Sequence, residues 1–179
     1  MKPRGRVAAL VLGAVVAAAG VVPLAGCNKA GKPGPGDIAP EFVLESLGGQ
    51  VRKLSNYRGK LVLVNLWATW CPPCIEELPV LDRLAVDYAD KGLVVLGVAG
   101  DEDTQAVRDF VAKSPVHFEV LLDPNGAIGT QYGITGYPET FFVDRDGRLR
   151  EKIIGPVPHK GDVPAAELTK KIDELLGGP

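Results

Sequence analysis

With 179 residues, 46% of them hydrophobic and 23% charged, the chain can bury one core of about 100 to 150 residues and still have length for extensions. A domain of that size does not depend on structural disulfides. The first 26 residues carry three basic and no acidic side chains, leaving 17 Lys and Arg against 22 Asp and Glu, a formal charge of −5. That balance excludes the basic footprint of a nucleic-acid binder.

Lys2, Arg4 and Arg6 precede an apolar stretch from Val7 to Leu24, the pattern of a secretory signal. It closes on Leu24-Ala25-Gly26-Cys27, which resembles the bacterial lipobox, where the cysteine is lipidated and becomes the first mature residue. The alternative is an uncleaved anchor, because about 18 mainly apolar residues approach a bilayer-spanning length. Pro23 and the small residues before Cys27 favour cleavage. Either way the expectation is a domain tethered on the outer side of the cytoplasmic membrane, an oxidising place. Asn28 to Pro40 is rich in Gly, Pro and Lys, as a flexible spacer would be. The expected organisation is a signal over 1–26, a tether over 27–40 and a folded domain over 41–179.

Phe42 to Leu47 and Val51 to Leu54 flank Gly48-Gly49, which suits a tight N-terminal hairpin. Leu61 to Trp67 is apolar except for Asn65, as in a central strand covered on both faces. A helix is predicted from about Pro73 to Lys91, stopped by Gly92 and carrying Pro79 in its second turn. Leu93 to Val98 reads as a buried strand, Thr104 to Lys113 as a helix and Glu119 to Leu122 as a strand, a βαβ alternation. After the turn at Asp123 to Gly126 come a short helix from Ala127 to Tyr132, a hairpin of Thr140 to Val143 with Leu149 to Ile154, and a closing helix from Ala165 to Leu176.

The chemistry is concentrated where the first central strand hands over to a helix, at Trp70-Cys71-Pro72-Pro73-Cys74. Two thiols at this spacing can close a small ring. A thiol at a helix N-terminus faces unpaired N–H groups and the positive end of the dipole, which marks Cys71 as the reactive one. A zinc site would need two more ligands, and only Cys27, His117 and His159 remain. A structural disulfide closing so short a loop gains little chain entropy. No metal and no cofactor is expected.

A strand, a Trp-Cys-x-x-Cys helix start, a proline inside that helix, a βαβ crossover and a final hairpin plus helix together resemble the thioredoxin fold. More closely, Asn65 to Cys74 and Gly133-Ile134-Thr135-Gly136-Tyr137-Pro138-Glu139-Thr140 resemble the membrane-tethered TlpA-like thioredoxins of cytochrome c maturation type. The resemblance implies an α/β thioredoxin fold with a central mixed sheet and an added N-terminal hairpin. It makes Pro138 the family's cis-proline, with Tyr137 and Trp70 beside the substrate. It implies a thiol-disulfide oxidoreductase in which Cys71 attacks and Cys74 resolves. The implied partners are a protein disulfide such as that of apocytochrome c and a transmembrane thiol electron donor.

Ordinary thioredoxins carry a buried aspartate six residues before the first cysteine, a place held here by Asn65. An amide cannot take a proton from Cys74. Glu77, one helical turn after Cys74, is the expected substitute, and desolvation would raise its pKa. Glu102 and Glu139 are the other candidates, while Asp101 to Asp103 also suit capping of the next helix. His117 and His159 read as incidental. Among rival functions, a peroxiredoxin-like peroxidase would need proline and threonine where Val64 and Ala68 stand. Copper delivery lacks a His or Met cluster. A disulfide oxidase or isomerase would use the same residues with the opposite redox poise.

Overall fold

The computed structural model describes Met1 and residues 31–177. The signal stretch and Cys27 lie outside the described residues. Seven strands form one mixed sheet in the order β2-β1-β5-β4-β3-β6-β7. These are β1 (Val43–Ser46), β2 (Val51–Lys53), β3 (Leu61–Trp67), β4 (Leu93–Ala99), β5 (Glu119–Leu122), β6 (Glu139–Val143) and β7 (Leu149–Ile154). The helices are α1 (Pro72–Asp87), α2 (Thr104–Lys113), α3 (Ala127–Tyr132) and α4 (Ala166–Gly177). Strands β3, β4 and β5 run parallel, and β6 and β7 follow antiparallel on the far side of β3. This is the thioredoxin fold.

Strand β3 is buried along its whole length, because it lies mid-sheet with side chains packed on both faces. Leu61, Leu63 and Trp67 join Leu78, Leu81 and Leu84 of α1, Val107 of α2 and Leu168 and Ile172 of α4. Val62, Val64 and Leu66 point the other way, toward Ile128 and Tyr132 of α3, Phe42 and Phe141. The period-two alternation therefore puts Asn65 on the α1 face. Its cross-strand partner Thr140 shares that face with Phe142, while Glu139 and Phe141 sit on the opposite one. At Gly97 in β4 a Cβ would fall 2.6 Å from the Phe118 ring, so only glycine lets that ring and Trp67 close over the strand.

Several boundaries differ from expectation. Helix α1 stops at Asp87 rather than Lys91, since the Tyr88 carbonyl is taken by the N–H of Leu93 and the chain tightens into a 3-10 turn (Ala89–Lys91). The N-terminal hairpin belongs to the main sheet, with β1 paired antiparallel to β5. Ordered structure also begins before Glu41. The N–H of Gly36 bonds the Leu149 carbonyl at 2.7 Å, Ala39 N–H bonds the Gly147 carbonyl at 2.9 Å, and Ala39 is buried. The proline- and glycine-rich composition reads as a spacer, but its last residues find partners more than a hundred positions away. A small hairpin of β8 (His159–Lys160) and β9 (Val163–Pro164) packs near α1, and two-residue strands carry no periodicity to announce them. Among the described residues no helix is long and apolar enough to cross a membrane.

Candidate active site

Cys71 is the N-cap of α1, and Pro72 and Pro73 fill the first two helical positions. Proline suits that place because its φ is already helical and its missing N–H would have gone unpaired. Cys71 and Cys74 are joined in a disulfide, with Cys71 5% exposed and Cys74 fully covered. The free N–H groups expected at this helix start are not there. Two are removed by the prolines, and those of Cys74 and Ile75 both bond the Cys71 carbonyl, at 3.1 and 3.2 Å.

Glu77 follows one turn later and is fully buried. Its Oε1 accepts from Asn65 Nδ2 at 2.8 Å and its Oε2 from the N–H of Val157 at 2.7 Å. Burial raises its pKa from 4.5 to about 6, against the lowering pull of those two donors and of His159. Asn65 Nδ2 also donates to Thr140 Oγ1 at 2.9 Å, while Asn65 Oδ1 is buried without a partner. His159, read from the sequence as incidental, bears on Glu77 only through its charge when protonated. His117 does not, pairing instead with Asp82 at an exposed position.

The Tyr137–Pro138 peptide bond is cis. The Pro138 carbonyl is held by the N–H of Gly155 at 3.0 Å, whereas the Tyr137 backbone has no hydrogen-bond partner among the described residues. The Tyr137 ring stands edge-on to Trp70, centroids 5.7 Å apart, and its hydroxyl lies over Gly100, where any Cβ would collide with it. Burial, then the charges of Asp123 and Asp101, raise the Tyr137 pKa. Trp70 is 66% exposed, whereas Trp67 is fully buried against Phe110.

The remaining acids separate clearly. Glu139 lies on the opposite face of the sheet from Glu77. Burial alone would raise its pKa, but Lys152 Nζ at 2.5 Å from its Oε2 and the N–H and hydroxyl of Thr135 together lower it. Glu102 is exposed and borders an open cleft of about 530 Å³ with Gly100, Pro124, Asn125 and Gly126. Helix α2 is capped by Asp103 alone, through the Gln105 N–H. Asp101 instead is buried and holds the N–H and hydroxyl of Thr69, two residues before Cys71. No sequence signal separates Asp101 from its acidic neighbours. The lone polar interruption at Asn65 is the one visible hint of the network around Glu77. Among the described residues no group of three or more His, Cys, Asp or Glu side chains gathers as a metal would need.

A disulfide at the start of α1, a cis-proline whose preceding tyrosine packs on Trp70, and a buried acid one turn on define a thioredoxin-fold thiol-disulfide oxidoreductase. The chain belongs to the Redoxin family, whose model matches residues 34–169. It is 37% identical over 120 residues to a thiol-disulfide oxidoreductase ResA of Bacillus thuringiensis, covering 67% of this chain and 69% of that one. The thioredoxin-like protein YneN of Bacillus subtilis is 35% identical over 141 residues, 77% of this chain and 78% of its own length. A crystal structure of a Chlorobium tepidum protein assigned as thiol:disulfide interchange protein DsbE superposes with a TM-score of 0.75 at 34% identity, covering 81% of this chain and 99% of that one. The exposed lipoprotein thioredoxin of Streptococcus pneumoniae strain TIGR4 superposes at 0.64 with 29% identity over 76% of this chain and all of that one. These relatives make the chain a TlpA-like, ResA-related thiol-disulfide oxidoreductase.

Proposed function

We propose that this protein is an extracytoplasmic reductant of protein disulfides, held to the membrane by a lipid on Cys27. The observation that carries the direction is the absence of first-turn backbone donors for a Cys71 thiolate. A dithiol is a strong oxidant when its reduced form is stabilised, and here that stabilisation is withheld. The lipobox-like Leu24-Ala25-Gly26-Cys27 supports the anchor, as does likeness to a lipoprotein thioredoxin. Apocytochrome c is the substrate we favour, on the motif resemblance around Cys71 and Pro138.

In the reduced state the Cys71 thiolate attacks one sulfur of the substrate disulfide, forming a mixed disulfide and releasing the other sulfur as a thiolate that takes a proton from water. An extended substrate segment pairs with the unpartnered backbone of Tyr137, between the aromatic edge of Trp70 and Pro138. The Cys74 thiol then gives its proton to the Glu77 carboxylate and attacks Cys71 Sγ. The substrate's second sulfur leaves. Two electrons have passed from the Cys71/Cys74 pair to the substrate, and a transmembrane thiol donor restores the dithiol.

Reduction of insulin or apocytochrome c disulfides by the full chain tests this directly. Cys71→Ser is expected to abolish it, and Cys74→Ser to trap a mixed disulfide with the substrate. Activity that survives Cys71→Ser ends the reading.

A further inference from the structure

Every polar contact of the Asn65 side chain is made by one end of its amide. Nδ2 reaches Glu77 Oε1 at 2.8 Å and Thr140 Oγ1 at 2.9 Å, and Oδ1 is buried with nothing to accept from. A carboxylate carries no hydrogen and wants a donor, which Nδ2 supplies with one of its two protons. A protonated Glu77 wants the reverse. Its Oε2 is already committed to the Val157 N–H at 2.7 Å, so the acid proton belongs on Oε1, where it would meet Nδ2 donor to donor.

We propose that Asn65 is a positioning residue for the proton on Glu77, turning its amide end over end about the Cβ–Cγ bond as that carboxyl gains and loses the proton of Cys74. With the amide turned, Oδ1 stands where Nδ2 stood and its two lone pairs accept from Glu77 and from the Thr140 hydroxyl. Thr140 serves both orientations because a hydroxyl both donates and accepts. Only Oδ1 and Nδ2 exchange places, and no heavy atom outside the amide need move. The proposal rests on Glu77 being the proton acceptor, and it explains why an amide suits position 65. An aspartate there would place a second carboxyl within about 3 Å of the first, and two such groups cannot both ionise near neutrality.

The groups facing Glu77 are few. The Cys71/Cys74 pair lies on its own helix, Asn65 on β3, Thr140 on β6 behind Asn65, the Val157 N–H on the segment after β7, and the titratable His159 on β8. Lys152 and Glu139 lie across the sheet.

Nuclear Overhauser contacts of the Asn65 side-chain NH2 protons, followed from pH 4 to 8 in the oxidised wild-type protein beside the Glu77 carboxyl carbon shift, test this without any substrate. Above the Glu77 midpoint those protons are expected to contact the side chains of Glu77 and Thr140, and below it to lose both contacts with the same midpoint. Contacts that persist through the Glu77 titration overturn the proposal. Asn65→Asp is expected to split the single Glu77 titration into two steps more than about two pH units apart. A single unshifted step overturns the proposal equally. Because neither measurement involves turnover, their failure is distinct from failure of Cys74→Ser to trap a substrate.

Discussion

Burial keeps the proton of Glu77 exchangeable close to neutral pH. A buried carboxyl with a folded pKa of about 6 and an ordinary value of 4.5 binds its proton more tightly in the folded protein. Its contribution to stability is full below pH 4.5 and is lost as pH rises through 6, by about 2 kcal/mol for a shift of this size. Urea unfolding across that range should show wild-type stability falling by this amount relative to Glu77→Gln, which keeps the shape and cannot titrate. Equal slopes for the two proteins would show that Glu77 does not titrate differently on folding. Glu139 behaves oppositely. Its lowered pKa stabilises the fold above the ordinary carboxylate range, and that stability fades as pH falls. Lys152→Met leaves Glu139 buried without its cation, and the expected loss at pH 7 is about 2 to 3 kcal/mol, shrinking in acid. Guanidinium unfolding at pH 7 and pH 4 measures both halves of that expectation.

The elements that the sequence makes legible are those with a strong period or a strong stop. The bounds of α2, β5, α3 and β7 agree with the pattern of apolar residues because caps and turns fix both ends, Asp103 at one helix and Gly126 and Gly133 at another. The Cys71-Pro72-Pro73-Cys74 junction is legible because proline at the first helical positions and an apolar run before them leave one solution. What stays hidden depends on long-range partners. The pairing of Gly36 and Ala39 with the β7 turn is of this kind, as is the choice of Asp101 rather than Asp103 to hold Thr69. That last contact makes the loop before Cys71 a structural element in its own right. Asp101→Ala removes the acceptor of two Thr69 donors and should cost about 2 kcal/mol in a denaturant titration. It should also speed hydrogen exchange at the Thr69 amide, and an unchanged exchange rate would deny the loop this anchor.

At the scale of the molecule, the sheet keeps two acids apart and gives each one task. Asn65 and Thr140 lie on the α1 face of the sheet with Glu77, while Glu139 and Lys152 form an ion pair on the far face. The sequence pattern shows both acids but not the sheet between them, since strand alternation assigns faces only once the register of β3 against β6 is known. The same construction places the cis Tyr137–Pro138 bond, the exposed Trp70 ring and the prolines of α1 around one disulfide. The proposed function makes this disulfide that of a reductant whose Cys71 thiolate lacks first-turn backbone donors. The reduction potential of the Cys71/Cys74 couple, measured at pH 7 against a thiol buffer, decides between reductant and oxidant. A value near that of thioredoxin, about −270 mV, is the predicted result, and one near the strongly oxidising −120 mV would contradict it.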